Sequence, residues 1–212
     1  MQRLRQRILD ELSWDARFEN ADIGVEEADG QIHLFGKVHS LAQFEDAQLA
    51  VWRVSGVNAV KNDLVIAVAP SDDQLLWEAL KQALKSESEI DHSTIEYRVE
   101  DGVVELRGIV GSVWQKQRVA ELASSIGDVV VVENRLQVVP GYRAGDREIA
   151  RQIEMVLEMS AEMDEKALTV EVNDAVVVLK GLVPHLNAYL AAQYAAAHVR
   201  GVKEVKNQLL IN

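Results

Sequence analysis

The sequence predicts an α+β protein of three tandem αββαβ units, each a three-stranded mixed sheet with two helices on one face. Three observations carry that prediction. One phrase recurs, as GVNAVKNDLVI at 56–66, DVVVVENRLQV at 128–138 and GVKEVKNQLLI at 201–211. Three glycines, Gly36, Gly108 and Gly181, stand 72 and 73 residues apart. At constant offsets from each glycine come an asparagine 26 residues on (Asn62, Asn134, Asn207) and a leucine 24 residues before (Leu12, Leu84, Leu157). Fixed offsets held over this span in three places define an internal repeat of about 65 residues.

Each unit opens with apolar residues four apart: Leu4, Ile8 and Leu12; Leu76, Leu80 and Leu84; Ile149, Ile153 and Leu157. Spacing of four places them on one helical face. Alternation follows at Ile23 and Val25, at Ile95, Tyr97 and Val99, and at Leu168, Val170 and Val172, the signature of a half-buried strand. A tight turn at Asp29-Gly30, Asp101-Gly102 and, in the third unit, Asn173-Asp174 leads into a second strand through Ile32 and Leu34, Val104 and Leu106, Val177 and Leu179.

After the repeated glycine comes a second helix. Ser40 with Gln43 and Ser112 with Gln115 match the S-x-x-Q capping box, while Pro184 precedes the third copy's helix. The recurring phrase is the third strand, joined to the second through a helix and so expected to run parallel to it. These boundaries give domains at 1–68, 73–139 and 146–212, expected to pack on one another because each alone is close to the size where a core is marginal.

Composition narrows the function classes. The 212 residues are 48% hydrophobic and 26% charged, with no cysteine, which removes disulfides, thiolate zinc sites and cysteine nucleophiles. No apolar run is long enough to span a membrane, and the basic, amphipathic start MQRLRQRILDEL does not read as a signal peptide. Net charge is −12, divided as −4, −6 and −2 over 1–70, 71–141 and 142–212. Such a chain is repelled by phosphate backbones, so nucleic acid is not an expected partner. GIVGS at 108–112 contains a G-x-x-G, but it follows a strand, whereas the RNA-binding loop joins two helices. The five histidines, His33, His39, His92, His185 and His198, show no metal-ligand spacing. No nucleophile elbow, P-loop or dinucleotide fingerprint occurs. No enzyme, metal or cofactor is expected.

An αββαβ unit of this length, with G-x-V ending the second strand and V-x-N-x-L in the third, resembles the BON domain, in three tandem copies. Asp128 departs from the pattern where the other copies have Gly56 and Gly201, and Gly127 is expected to supply that turn by a one-residue shift. The resemblance implies a binding protein attached to phospholipid surfaces in envelope maintenance or the osmotic stress response, or one that contacts another envelope or stress protein. It also implies a mostly periplasmic family, against a chain that reads as cytoplasmic if Met1 is its native start.

For the repeated glycines and asparagines a structural role is expected: close approach of a helix or a bulge at Gly36, Gly108 and Gly181, and a hydrogen-bonded inward amide at Asn62, Asn134 and Asn207. Four tryptophans break the repeat: Trp14, Trp52, Trp77 and Trp114. Trp77 with the adjacent Leu75, Trp114 and Trp52 are the candidates for lipid or partner contact, and burial between neighbouring domains is the competing reading. Arg3, Arg5 and Arg7, or Lys203 and Lys206, would supply local positive charge for an anionic membrane. A protein partner would instead meet the acidic second copy or open strand edges.

Overall fold

The computed structural model describes residues 2–28, 31–67, 72–141, 144–158 and 168–211, with side chains from residue 4 on. The first copy runs α1 (Gln2–Trp14), β1 (Asp22–Ala28), β2 (Gln31–Val38), α2 (Leu41–Trp52) and β3 (Ala59–Ile66). The second runs α3 (Asp73–Ser86), β4 (Ile95–Glu100), β5 (Val103–Val110), α4 (Val113–Ser124), β6 (Val131–Asn134) and β7 (Gln137–Val138). The third runs α5 (Asp146–Glu158), β8 (Leu168–Asn173), β9 (Val176–Val183), α6 (Leu186–His198) and β10 (Glu204–Ile211).

Each copy forms a sheet with its second strand in the centre: β1-β2-β3, β4-β5-β6 with β7 also on β5, and β10-β9-β8. The hairpin pairs β1–β2 and β8–β9 are antiparallel, and the pairs joined through a helix, β2–β3 and β9–β10, are parallel. The second copy's third strand, continuous in sequence pattern, is broken into β6 and β7, with β7 pairing Gln137 to Ile109 and Val138 to Val110.

Side chains alternate across each strand, so one face carries the apolar set. In the first copy Ile32, Leu34 and Val38 from β2 are buried with Ile8 and Leu12 of α1 and Ala47, Ala50 and Val51 of α2. Ile149, Ile153, Leu157, Val177, Leu179, Val183 and the alanines 188, 192 and 196 do the same in the third. The chain divides into two compact units, one of Met1–Glu87, Tyr97–Leu106 and Ala120–Glu133, the other of Ser88–Glu96, Arg107–Val119 and Asn134–Asn212.

Three local expectations change. In the third copy the turn is Asp174-Ala175 and not Asn173-Asp174, because Asn173 is still paired in β8, opposite Val176. Both loop residues take positive φ, +49° and +63°, as Asp101 and Gly102 do at +50° and +75° in the second copy. That is the backbone of a two-residue hairpin whose twist matches the strands. The Asp29-Gly30 turn lies outside the described residues. At the departure from the repeat, Asp128 itself adopts φ +64°, where Gly56 and Gly201 take +100° and +95°. No shift onto Gly127 is needed, since aspartate tolerates the left-handed region better than most residues. Two short 3-10 turns, Ala16–Phe18 and His92–Thr94, were not visible in the periodicity; Asp15 and Asp91 start them, accepting 3.0 Å bonds from the N–H of Arg17 and Ser93.

Exchange of the two turn residues provides a check. Ala175→Gly is expected to stabilise the chain by roughly 1 kcal/mol through relief of left-handed strain. Gly102→Ala is expected to destabilise it by at least as much, since its Cβ would lie 2.9 Å from the Asp128 carbonyl oxygen. Urea unfolding midpoints of the two variants against the parent measure both signs.

Candidate binding surface

The repeated glycines share a backbone that side chains rarely adopt: φ is +114° at Gly36, +118° at Gly108 and +130° at Gly181. A Cβ on Gly36 would sit 2.0 Å from the Asp22 carbonyl oxygen, and one on Gly108 2.1 Å from that of Thr94. The close neighbour is therefore backbone at the start of the hairpin's first strand, not a helix. Only a residue without Cβ fits there.

The repeated asparagines form one arrangement three times. Asn62 donates from Nδ2 to the Phe44 carbonyl at 3.0 Å and accepts at Oδ1 from the Leu64 N–H at 3.2 Å. Asn134 bonds the Lys116 carbonyl at 2.8 Å and the Leu136 N–H at 3.2 Å. Asn207 bonds the Tyr189 carbonyl and the Leu209 N–H, both at 3.2 Å. Each amide thus ties the third strand to the first turn of the second helix, satisfying a half-buried polar group at both ends.

A second staple escaped the sequence reading. Asp73 accepts from the N–H groups of Asp101 at 3.0 Å and Gly102 at 3.2 Å, and Asp146 accepts from those of Asp174 at 3.0 Å and Ala175 at 2.9 Å. Both aspartates open the first helix of their copy, 35 residues before the repeated glycine, and that shared offset was the available signal. The capping glutamines also reach further than a capping box requires. Gln43 and Gln115 accept from the N–H of His39 and Gly111, both at 2.7 Å, and donate to the carbonyls of Arg17 and Glu89, both at 2.6 Å. In the third copy His185 is the cap, its Nδ1 accepting from the Ala188 N–H at 3.1 Å.

The tryptophans separate into distinct environments. Trp77 is half-buried, its ring 5.6 Å from Tyr97 with the Lys81 ammonium 4.4 Å over its face. Leu75, 67% exposed, lies two residues earlier on α3 and so points away from Trp77. Burial beside Trp77, then the negative charge of Glu78, pushes the Tyr97 phenol above its ordinary range. Trp114 is half-buried at the start of α4, 5.6 Å from the His198 ring. Trp52 is 38% exposed at the end of α2, and Trp14, at 88%, is the most exposed of the four.

Beyond Trp114 the third copy carries an open apolar groove of about 620 Å³, lined by Val156, Leu190, Ala191, Tyr194, Ala195, His198 and Val199. Tyr194 is 62% exposed and stacks 3.9 Å from His198, whose Nδ1 donates to the Tyr194 carbonyl at 2.8 Å. The sequence carried a signal for it: LNAYLAAQYAAA, residues 186–197, has no charged residue, unlike the other second helices. A helix with no charged face gains from cover on more than one side.

A second hollow, of about 710 Å³, lies in the first copy, with Arg5, Glu26, His33 and Lys61 beside Ile32 and Val60 on its walls. His33 Nε2 is 2.9 Å from Asp63, and hydrogen bonds from Lys61 first and His33 second hold the Asp63 carboxyl below its usual range. Among the described residues no group of three His, Cys, Asp or Glu side chains is placed to hold a metal.

Three mixed sheets of one topology, stapled by one asparagine motif, make this a tandem-repeat α+β protein with open apolar surface. The BON domain family matches it at residues 2–68, 72–140 and 145–212. The chain belongs to the BON domain family. It is 31% identical over 145 residues to Osmotically-inducible protein Y of Escherichia coli (strain K12), a match covering 65% of this chain and 72% of that protein. Among solved structures, the C-terminal domain of CdsD, the structural protein of the type III secretion system of Chlamydia trachomatis, aligns over 97% of both chains at 15% identity. Its TM-score of 0.28 is too low to bear on fold or function.

Two measurements test this geometry. Asn62→Ala, Asn134→Ala and Asn207→Ala are each expected to cost about 1–3 kcal/mol, the penalty for stranding a half-buried carbonyl and N–H together, read by chemical denaturation. Tyr97 is expected to ionise above the usual tyrosine value of about 10, and Trp77→Ala to move it back toward that value. Its contribution to stability is full below the ordinary value and disappears as pH rises through the raised one. Ultraviolet titration, with Tyr97→Phe subtracted, resolves the shift.

Proposed function

We propose that this protein is a non-enzymatic binding protein of the osmotic stress response, built from domains at 1–68, 73–139 and 146–212, that attaches to phospholipid surfaces. Family membership over the whole chain and the similarity to an osmotically inducible protein support the stress role. The observation that carries the binding role is the uncharged groove along α6. An amphipathic tyrosine at an apolar opening suits an interface where one end of the residue is dry and the other wet. Trp114 borders this groove through His198. Exposed Leu75 and half-buried Trp77, on different sides of α3, offer separate further contacts, and Trp52 another on α2.

The acidic charge opposes anionic headgroups, each nearby cation offsetting only about 1 kcal/mol. Binding through α6 is therefore apolar first and electrostatic second. Cover for an uncharged helix could equally come from a protein, and in that second reading the groove receives the apolar face of a partner helix.

Co-sedimentation with phosphatidylglycerol, cardiolipin and phosphatidylcholine vesicles at low and physiological salt separates the two. The lipid reading expects vesicle binding that falls at least about tenfold in Tyr194→Asp. Binding to no vesicle, or binding indifferent to Tyr194→Asp and Leu190→Asp, overturns it and leaves the protein partner.

A further inference from the structure

Successive copies meet at two junctions, one inside each compact unit, and both junctions use the same parts of the repeat. In the first unit the loop entering α2 meets the turn after α4. There the Asp128 N–H donates to the His39 carbonyl at 3.4 Å, and a Cβ on Gly127 would lie 3.7 Å from that oxygen. In the second unit the first turn of α4 meets the end of α6: Val113, 7% exposed, belongs to the third copy's core cluster, and Trp114 packs on His198. Each time, the start of one copy's second helix faces the end of the next copy's second helix.

Exposure at equivalent positions follows that direction. At the start of the second helix Ser40 is buried, Ser112 half-buried and His185 exposed; two residues on, Ala42 and Trp114 are half-buried and Asn187 is exposed. At the end of the helix the order reverses. Ser124 and Ala197 are 8% and 0% exposed where the first copy has Trp52 at 38%. Val129 and Val202 are 0% and 1% exposed where the first copy has half-buried Val57. One half of the junction is thus left open on the first copy, and the complementary half on the third.

We infer that a second copy of this chain closes the junction: the end of α2 in one molecule docks on the first turn of α6 in another, with Trp52 against His185 and Asn187. Continuity identifies the occupant, since the chain already makes this contact with itself twice. A large aromatic stands where the sister positions bury small residues, and exposed tryptophan is characteristic of interface centres. Charge permits the contact despite the net −12, because the first turn of α6 holds no acidic residue and Arg53 follows Trp52. The two surfaces differ, so the contact is heterologous and is not limited to pairs by symmetry.

Sedimentation velocity of the full chain from about 1 μM to about 1 mM reads the association. The parent is expected to grow with concentration. Trp52→Glu and Asn187→Glu are each expected to weaken association at least about tenfold, with melting temperatures unchanged by circular dichroism. Each variant keeps one intact surface, so their equimolar mixture is expected to form a heterodimer and nothing larger. Should Trp52→Glu lower the melting temperature, Trp52→Ser, the second copy's residue at that position, reads the same contact. A parent that stays monomeric throughout, a variant that associates like the parent, or a mixture that remains monomeric overturns the inference.

Discussion

The fold depends first on one side-chain amide used three times. A three-stranded sheet with a helix crossing between its last two strands needs something to fix that helix over the sheet. Apolar packing is non-directional and would tolerate sliding. Asn62, Asn134 and Asn207 remove that freedom, because each binds a helix carbonyl eighteen residues earlier and the backbone N–H two residues later. The low dielectric around a half-buried amide makes an unmade bond expensive. The repeated glycine acts two residues along on the neighbouring strand, between the other pair of strands, where at Gly36 and Gly108 the chain entering the first strand passes too close to the second for any Cβ.

With the backbone pinned in this way, the outer surfaces are free to diverge. The first copy carries a hollow with charged walls around His33, the second a Trp77–Tyr97–Lys81 cluster, and the third an alanine-rich helix beside an open groove. Identical frames with unlike surfaces are what a tandem binding protein needs, since each copy can present a different contact without disturbing the others' cores.

Apolar exposure occurs in many places, and two of them differ in kind. Along α6 it is broad and uncharged, which suits a lipid or protein face. At Trp52 it is a single large ring at a position otherwise occupied by buried Ser124 and Ala197. The first reads as a surface open to a foreign ligand, the second as one half of a contact that the chain elsewhere completes internally.

The sequence by itself determined the repeat, its length, the order of elements and the inward residues, because hydrophobic periodicity and fixed offsets are properties of the chain alone. It marked the glycines and asparagines as special without saying what they touch. Tertiary structure decided the rest. Which residue of a turn takes positive φ depends on where strand pairing stops, which moved the third turn to Asp174-Ala175 and kept Asp128 in place. Asp73 and Asp146 became staples only when the hairpin folded back over their helix. Leu75 and Trp77, neighbours in sequence, separate because a helix turns about 100° per residue. Exposure of Tyr194 and Trp52 is set by what the neighbouring copy does or does not cover, and no single repeat contains that information.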